Sequence, residues 1–115
     1  MLIRIDTSSP LAFYDQVAAQ VRGAIIRGDL GPGSRLPAAK ALAGEVGINL
    51  HTVLRAYAQL RDEGLIELRP HRGAVVAGTA PKMAELVDAT RRLVKTARRL
   101  GLADEEILGL VGEEL

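Results

Sequence analysis

The sequence predicts a mainly helical domain with one small β-hairpin, followed by a short tail of two further helices. Three observations predict it: helical apolar spacing in three stretches before Gly64, a pair of β-prone runs around a basic connection, and a return to helical spacing after Gly78. Of the 115 residues, 48% are apolar, enough for a packed core, and only 3% are aromatic, so aliphatic side chains carry the packing. One compact domain of about 100 residues with an appendage is expected, without a separate ligand-binding domain.

The first helix is expected from Pro10 to Arg27, where Tyr14, Val17, Ala18, Val21 and Ile25 recur at three- and four-residue spacing. Ser9 reads as its N-cap, with Pro10 at the first helical position. Gly28 ends it, and Gly31-Pro32-Gly33 makes a tight connection. Leu36-Pro37 opens a second, short helix over Ala38 to Val46, with Leu42 and Val46 inward and Gly47 as its stop. Asn49 offers a side-chain oxygen to the free amides of a third helix at residues 50 to 63, whose stripe is Val53, Leu54, Ala56, Tyr57 and Leu60. Tyr57 on that stripe reads as core rather than as a stacking partner.

Leu65-Ile66-Glu67-Leu68 and Ala74-Val75-Val76-Ala77 are the strands of a hairpin, joined by Arg69-Pro70-His71-Arg72-Gly73. Beyond Gly78, Met83, Leu86, Thr90, Leu93, Ala97 and Leu100 alternate spacings of three and four. So narrow a seam, flanked by Val94, suits pairing of helix with helix. Gly101 breaks it, and Asp104 to Leu115 forms a last amphipathic helix through Ile107, Leu108 and Val111. The expected division is a domain at 1–78 and a helical dimerisation tail at 79–115.

Composition excludes several classes of function. There is no cysteine, hence no disulfide, thiolate metal site or cysteine nucleophile, which fits a reducing compartment such as the cytoplasm. No apolar run approaches the roughly 20 residues of a membrane helix, and Met-Leu-Ile-Arg does not begin a signal peptide. No Ser-His-acid arrangement, paired carboxylates or glycine-rich phosphate loop points to an enzyme, and no cofactor is expected. His51 and His71, isolated from each other and from acids, read as surface or groove residues rather than metal ligands. Net charge is only +1, with nine Lys/Arg against seven Asp/Glu up to Gly78 and six against seven beyond it. A nucleic-acid partner therefore requires the cations to be focused on one face.

The local pattern supplies such a face. Two helices joined at Val46-Gly47-Ile48-Asn49 have helix-turn-helix form, in which the second helix enters the DNA major groove. Its outward first turns carry Asn49, Leu50, His51, Thr52 and Arg55; Leu50 offers only apolar contact, for instance with a thymine methyl. The hairpin tip gathers Arg69, His71 and Arg72, and Gly73 lets the backbone approach a phosphate, the make-up of a wing. Arg22, Arg27, Arg35 and Lys40 would extend the basic surface, Lys40 from the start of the second helix. The fold class is thus a winged helix-turn-helix with a two-helix tail. The same form also serves as a protein-interaction adaptor.

At these residues the chain resembles a known family. Tyr14-Asp15-Gln16-Val17, the run from Arg27 through Gly31-Pro32-Gly33 to Leu36-Pro37, Asn49 through Tyr57, Glu63-Gly64-Leu65-Ile66 and Arg72-Gly73 closely resemble the N-terminal domain of GntR-family bacterial regulators, over residues 9 to 77. Thr52-Val53, Arg55-Ala56-Tyr57 and the short helical tail resemble its YtrA-like subgroup, which implies an autoregulating repressor, often encoded beside ABC transporters. The resemblance places DNA contacts at Lys40, Asn49, His51, Thr52, His71, Arg72 and Gly73, while Leu50 and Leu54 depart from a family pattern that is often basic there. The expected partners are an inverted-repeat DNA operator and a second copy of the chain, with recognition helices about 34 Å apart. A small-molecule effector would sit at the dimer interface or between tail and domain, and no residue names its chemistry.

Overall fold

The computed structural model describes residues 2–115. Seven elements follow one another: α1 (Phe13–Arg27), α2 (Ala39–Val46), α3 (Leu50–Asp62), β1 (Ile66–Arg69), β2 (Gly73–Val76), α4 (Ala80–Arg99) and α5 (Asp104–Glu113). They form two compact units, the first ending at Glu85 and the second starting at Leu86.

In the first unit α1, α2 and α3 pack around Val17, Val21, Ile25, Leu42, Val53 and Leu60, and the hairpin closes one side with Leu65, Ile66 and Val76. Branched aliphatic side chains at helical spacing leave each helix one apolar stripe, and the three stripes share one core. Strands β1 and β2 pair antiparallel, Ile66 with Val76 and Arg69 with Gly73. A third extended segment joins them. Arg35 bridges Val75, the Leu36 amide donates to the Ala74 carbonyl at 2.9 Å, and the Val76 amide donates to the Ser34 carbonyl at 2.8 Å. The core also takes in Ala80 and Ala84 from the start of α4, so the unit runs beyond Gly78 to Glu85.

The start of α1 differs from the expectation. Its N-cap is Ala12, and Ser9 caps nothing helical: its hydroxyl accepts from the Leu11 amide in a local turn. A helix begun at Pro10 would commit the Leu11 carbonyl to the amide of Asp15, yet that carbonyl accepts from Gln16 Nε2. Gln16 also receives the Asp6 amide and donates to the Asp6 carbonyl, and one turn on Gln20 does the same for Arg4. Two glutamines thereby hold the segment before α1 against it, with Ile3 in the core. The Asp6 carboxyl lies below the usual carboxylate range because the Ser8 hydroxyl and amide donate to it.

In the second unit Ala97, in the later part of α4, and Ile107, in α5, are buried. The Glu106 carboxylate accepts the Ala103 amide at 2.9 Å and so serves the start of α5. Within α4, Arg92 pairs with Asp88, and Arg98 reaches Asp104 at 3.4 Å. Among the described residues no helix is long and apolar enough to cross a membrane.

Candidate nucleic-acid interface

The turn between α2 and α3 is built on Gly47, whose φ of 79° lets the chain reverse while the amides of Gly47 and Ile48 both reach the Ala43 carbonyl. Asn49 then caps α3, its Oδ1 accepting the His51 amide at 2.7 Å as expected. Val53, Ala56, Tyr57 and Leu60 are buried, which fixes the rotation of α3 and turns Leu50, His51, Leu54 and Arg55 outward, with Thr52 half-buried. Leu54 thus does not belong to the buried stripe. It is 45% exposed, because on the wheel it lies about 100° from Val53 and about 60° from Tyr57, outside the stripe that fills the core side.

Tyr57 is core, as read from the sequence, and its hydroxyl donates to the Pro37 carbonyl at 2.7 Å, tying α3 to the entry of α2. Burial pushes its phenol up to about 12. Just beyond that entry Lys40 is exposed, in a first turn that holds no acid. Its charge adds to the unsatisfied amides of the helix start, so this end of α2 suits a phosphate. Arg55 lies over the ring of Tyr14 in α1, 3.8 Å from its centroid, a cation–π contact that limits where the guanidinium can point.

The tip of the hairpin is Pro70, His71 and Arg72, with His71 at a φ of 63° and Gly73 at 73°. Arg35 spans to it from the third extended segment, donating through Nε to the Arg72 carbonyl at 3.0 Å and through Nη2 to the His71 carbonyl at 3.3 Å. Sequence placed Arg35 among the surface cations; its guanidinium here holds the backbone of the wing. Arg69 is paired with Glu67 at 2.7 Å, which leaves Arg72 as the wing arginine with no carboxylate partner among the described residues.

Arg22 does not extend the basic surface. It is 3% exposed and bonded to Glu63 at the end of α3, through Nε at 3.0 Å and Nη2 at 3.3 Å, because its position on α1 faces the core side. Arg27 is exposed but neutralised by Asp29 at 3.2 Å. No side-chain polar atom buried among the described residues lacks a hydrogen bond, and no group of three His, Asp or Glu is placed to hold a metal. Sequence reasoning missed Tyr14 as the platform of Arg55 and Arg35 as the clamp of the wing; neither has a local signal, since both act on residues far along the chain.

Of the tail residues expected at a dimer contact, Ala97 and Ile107 are buried within the second unit and Val94 is half-buried. Met83, Leu86, Leu93, Leu100, Leu108 and Val111 are exposed.

Comparison with known proteins agrees with this arrangement. The family model described as bacterial regulatory proteins, gntR family, matches residues 13–76. The HTH-type transcriptional repressor YtrA of Bacillus subtilis is 30% identical over 114 residues, covering 99% of this chain and 86% of its own. Among solved structures, YtrA from Sulfolobus acidocaldarius, a GntR-family transcription factor, is 36% identical with a TM-score of 0.65, over 82% of this chain and 99% of that one. The DNA-binding domain of AraR in complex with operator ORX1 is 26% identical with a TM-score of 0.58, over 66% of this chain and 96% of that one.

Proposed function

The chain belongs to the GntR family of bacterial regulatory proteins, and from that premise we propose that it is a homodimeric, cytoplasmic repressor that occludes promoters by binding an inverted-repeat operator. The observation that carries the proposal is the pairing of one finished surface with one unfinished one. The first unit presents α3 with Lys40, Arg55 and Arg72 around it, while the tail leaves Leu86 and Leu93 on α4, and Leu100 just after it, without cover. A single recognition helix offers half of the contacts an operator needs, and joining two supplies the rest. The relatives named repressors, and the neighbour seated on an operator, favour this reading over an adaptor.

Arg55, Lys40 and Arg72 are assigned to phosphates and groove walls, and His51 and Thr52 to base edges. The gene's own promoter is the first DNA to test, because the YtrA-like resemblance implies autoregulation. A gel-shift titration should show the promoter preferred to a scrambled duplex of equal composition. Arg72→Ala should weaken both duplexes alike, whereas His51→Ala should erode the preference. A chain that shifts neither duplex below micromolar concentration is not such a repressor.

A further inference from the structure

We infer that Leu50 and Leu54 make α3 a reader of thymine methyl groups. The inference rests on the reading of α3 as the helix that enters the major groove. The apolar stripe that folds α3 is complete without these two residues, since Val53, Ala56, Tyr57 and Leu60 are all buried. Leu50 is nonetheless 38% exposed and Leu54 45%, one turn apart on the same flank. The rise between them is about 6 Å, close to two base steps of roughly 3.4 Å.

Their neighbours decide the partner. His51 and Arg55 share the outward side of α3, and Lys40 lies exposed in the helix before it. An apolar protein patch would bury these cations at a large cost, so a partner must be anionic overall and apolar in spots. The thymine 5-methyl is the apolar group that base pairs present in the major groove. Arg55 is held over Tyr14, the side-chain oxygen of Asn49 is taken by the His51 amide, and no carboxylate occurs from Leu50 to Arg61, so discrimination at Leu50 and Leu54 comes from methyl burial rather than hydrogen bonds.

The test uses the full chain. Bound duplexes are selected from a random-sequence pool, and the selected site is then remade with deoxyuridine, which pairs like thymidine but lacks the methyl. Fixed thymines should emerge, and each replacement facing a leucine should weaken binding about fourfold. Leu50→Ala and Leu54→Ala, both at exposed positions and checked for unchanged melting, should weaken the thymidine site by a similar factor and leave the deoxyuridine site unchanged. Equal affinity for the two sites, or an equal loss by the variants on both, overturns methyl reading while the operator reading stands. A pool that yields no preferred sequence overturns the operator reading itself.

Discussion

Up to Glu85 the chain gathers many of its large apolar residues into a core, whereas from Leu86 onward it leaves most of them exposed. In the first unit the large side chains of Val17, Val21, Ile25, Leu42, Val53, Leu60, Leu65, Ile66 and Val76 are fully buried in the core that the three helices share with the hairpin. In the second, Ala97 and Ile107 are buried, while Leu86 is 58% exposed, Leu100 75% and Leu108 72%. Each leucine left in water forgoes roughly 1.5–3 kcal/mol that burial would return. The difference separates a unit with a filled core from a helical surface that, under the proposed dimerisation, a second copy would cover. Point substitutions probe it more cleanly than truncation at Gly78, which would strip Ala80 and Ala84 from the core of the first unit.

The largest effect should come from the unfinished side. Leu93→Asp places a charge in the seam and should turn a dimer into a monomer in sedimentation, with operator affinity down roughly a hundredfold or more. Melting of the first unit should stay where it was. A variant that remains dimeric and binds normally would show that the exposed row is not the interface.

Next comes the finished side. Glu63→Gln removes the carboxylate facing Arg22, a guanidinium that is 3% exposed, and should lower stability by about 3 kcal/mol in denaturant titration without changing the oligomeric state. If the dimer dissociates as well, the two regions are not independent.

The smallest effect concerns Tyr57. Tyr57→Phe loses the hydrogen bond to Pro37, about 1 kcal/mol. It should also change the alkaline limb. The phenol is raised from 10.0 to about 12, so the fold favours its protonated form; that stabilisation is complete below pH 10 and is lost as pH rises toward 12. Unfolding midpoints between pH 9 and 12 should therefore fall less steeply in the variant than in the parent.

What could be read from sequence was what neighbours along the chain decide. Gly47, the Asn49 cap and the rotation of α3 follow from local φ preference, a two-residue hydrogen bond and helical period, and the structure has them so. The start of α1 was displaced because Gln16, far from looking like a cap, takes up the carbonyls of Asp6 and Leu11. Arg22 looked like a surface cation because its partner lies 41 residues on. Leu54 sits at the margin of its stripe, where period alone does not separate core from surface and the width of the packed neighbour does. The third extended segment and the reach of Arg35 to Arg72 over 37 residues are tertiary facts with no short-range trace.

That reach has a kinetic meaning. A loop tip that is tethered across the fold before any ligand arrives has already lost the conformational freedom that disordered basic arms give up on contact. Encounter with a polyanion would then be limited by diffusion and charge steering, and the heat-capacity change on association would report surface covered rather than a segment folding. Arg35 thereby moves an entropic loss from the moment of binding to the moment of folding.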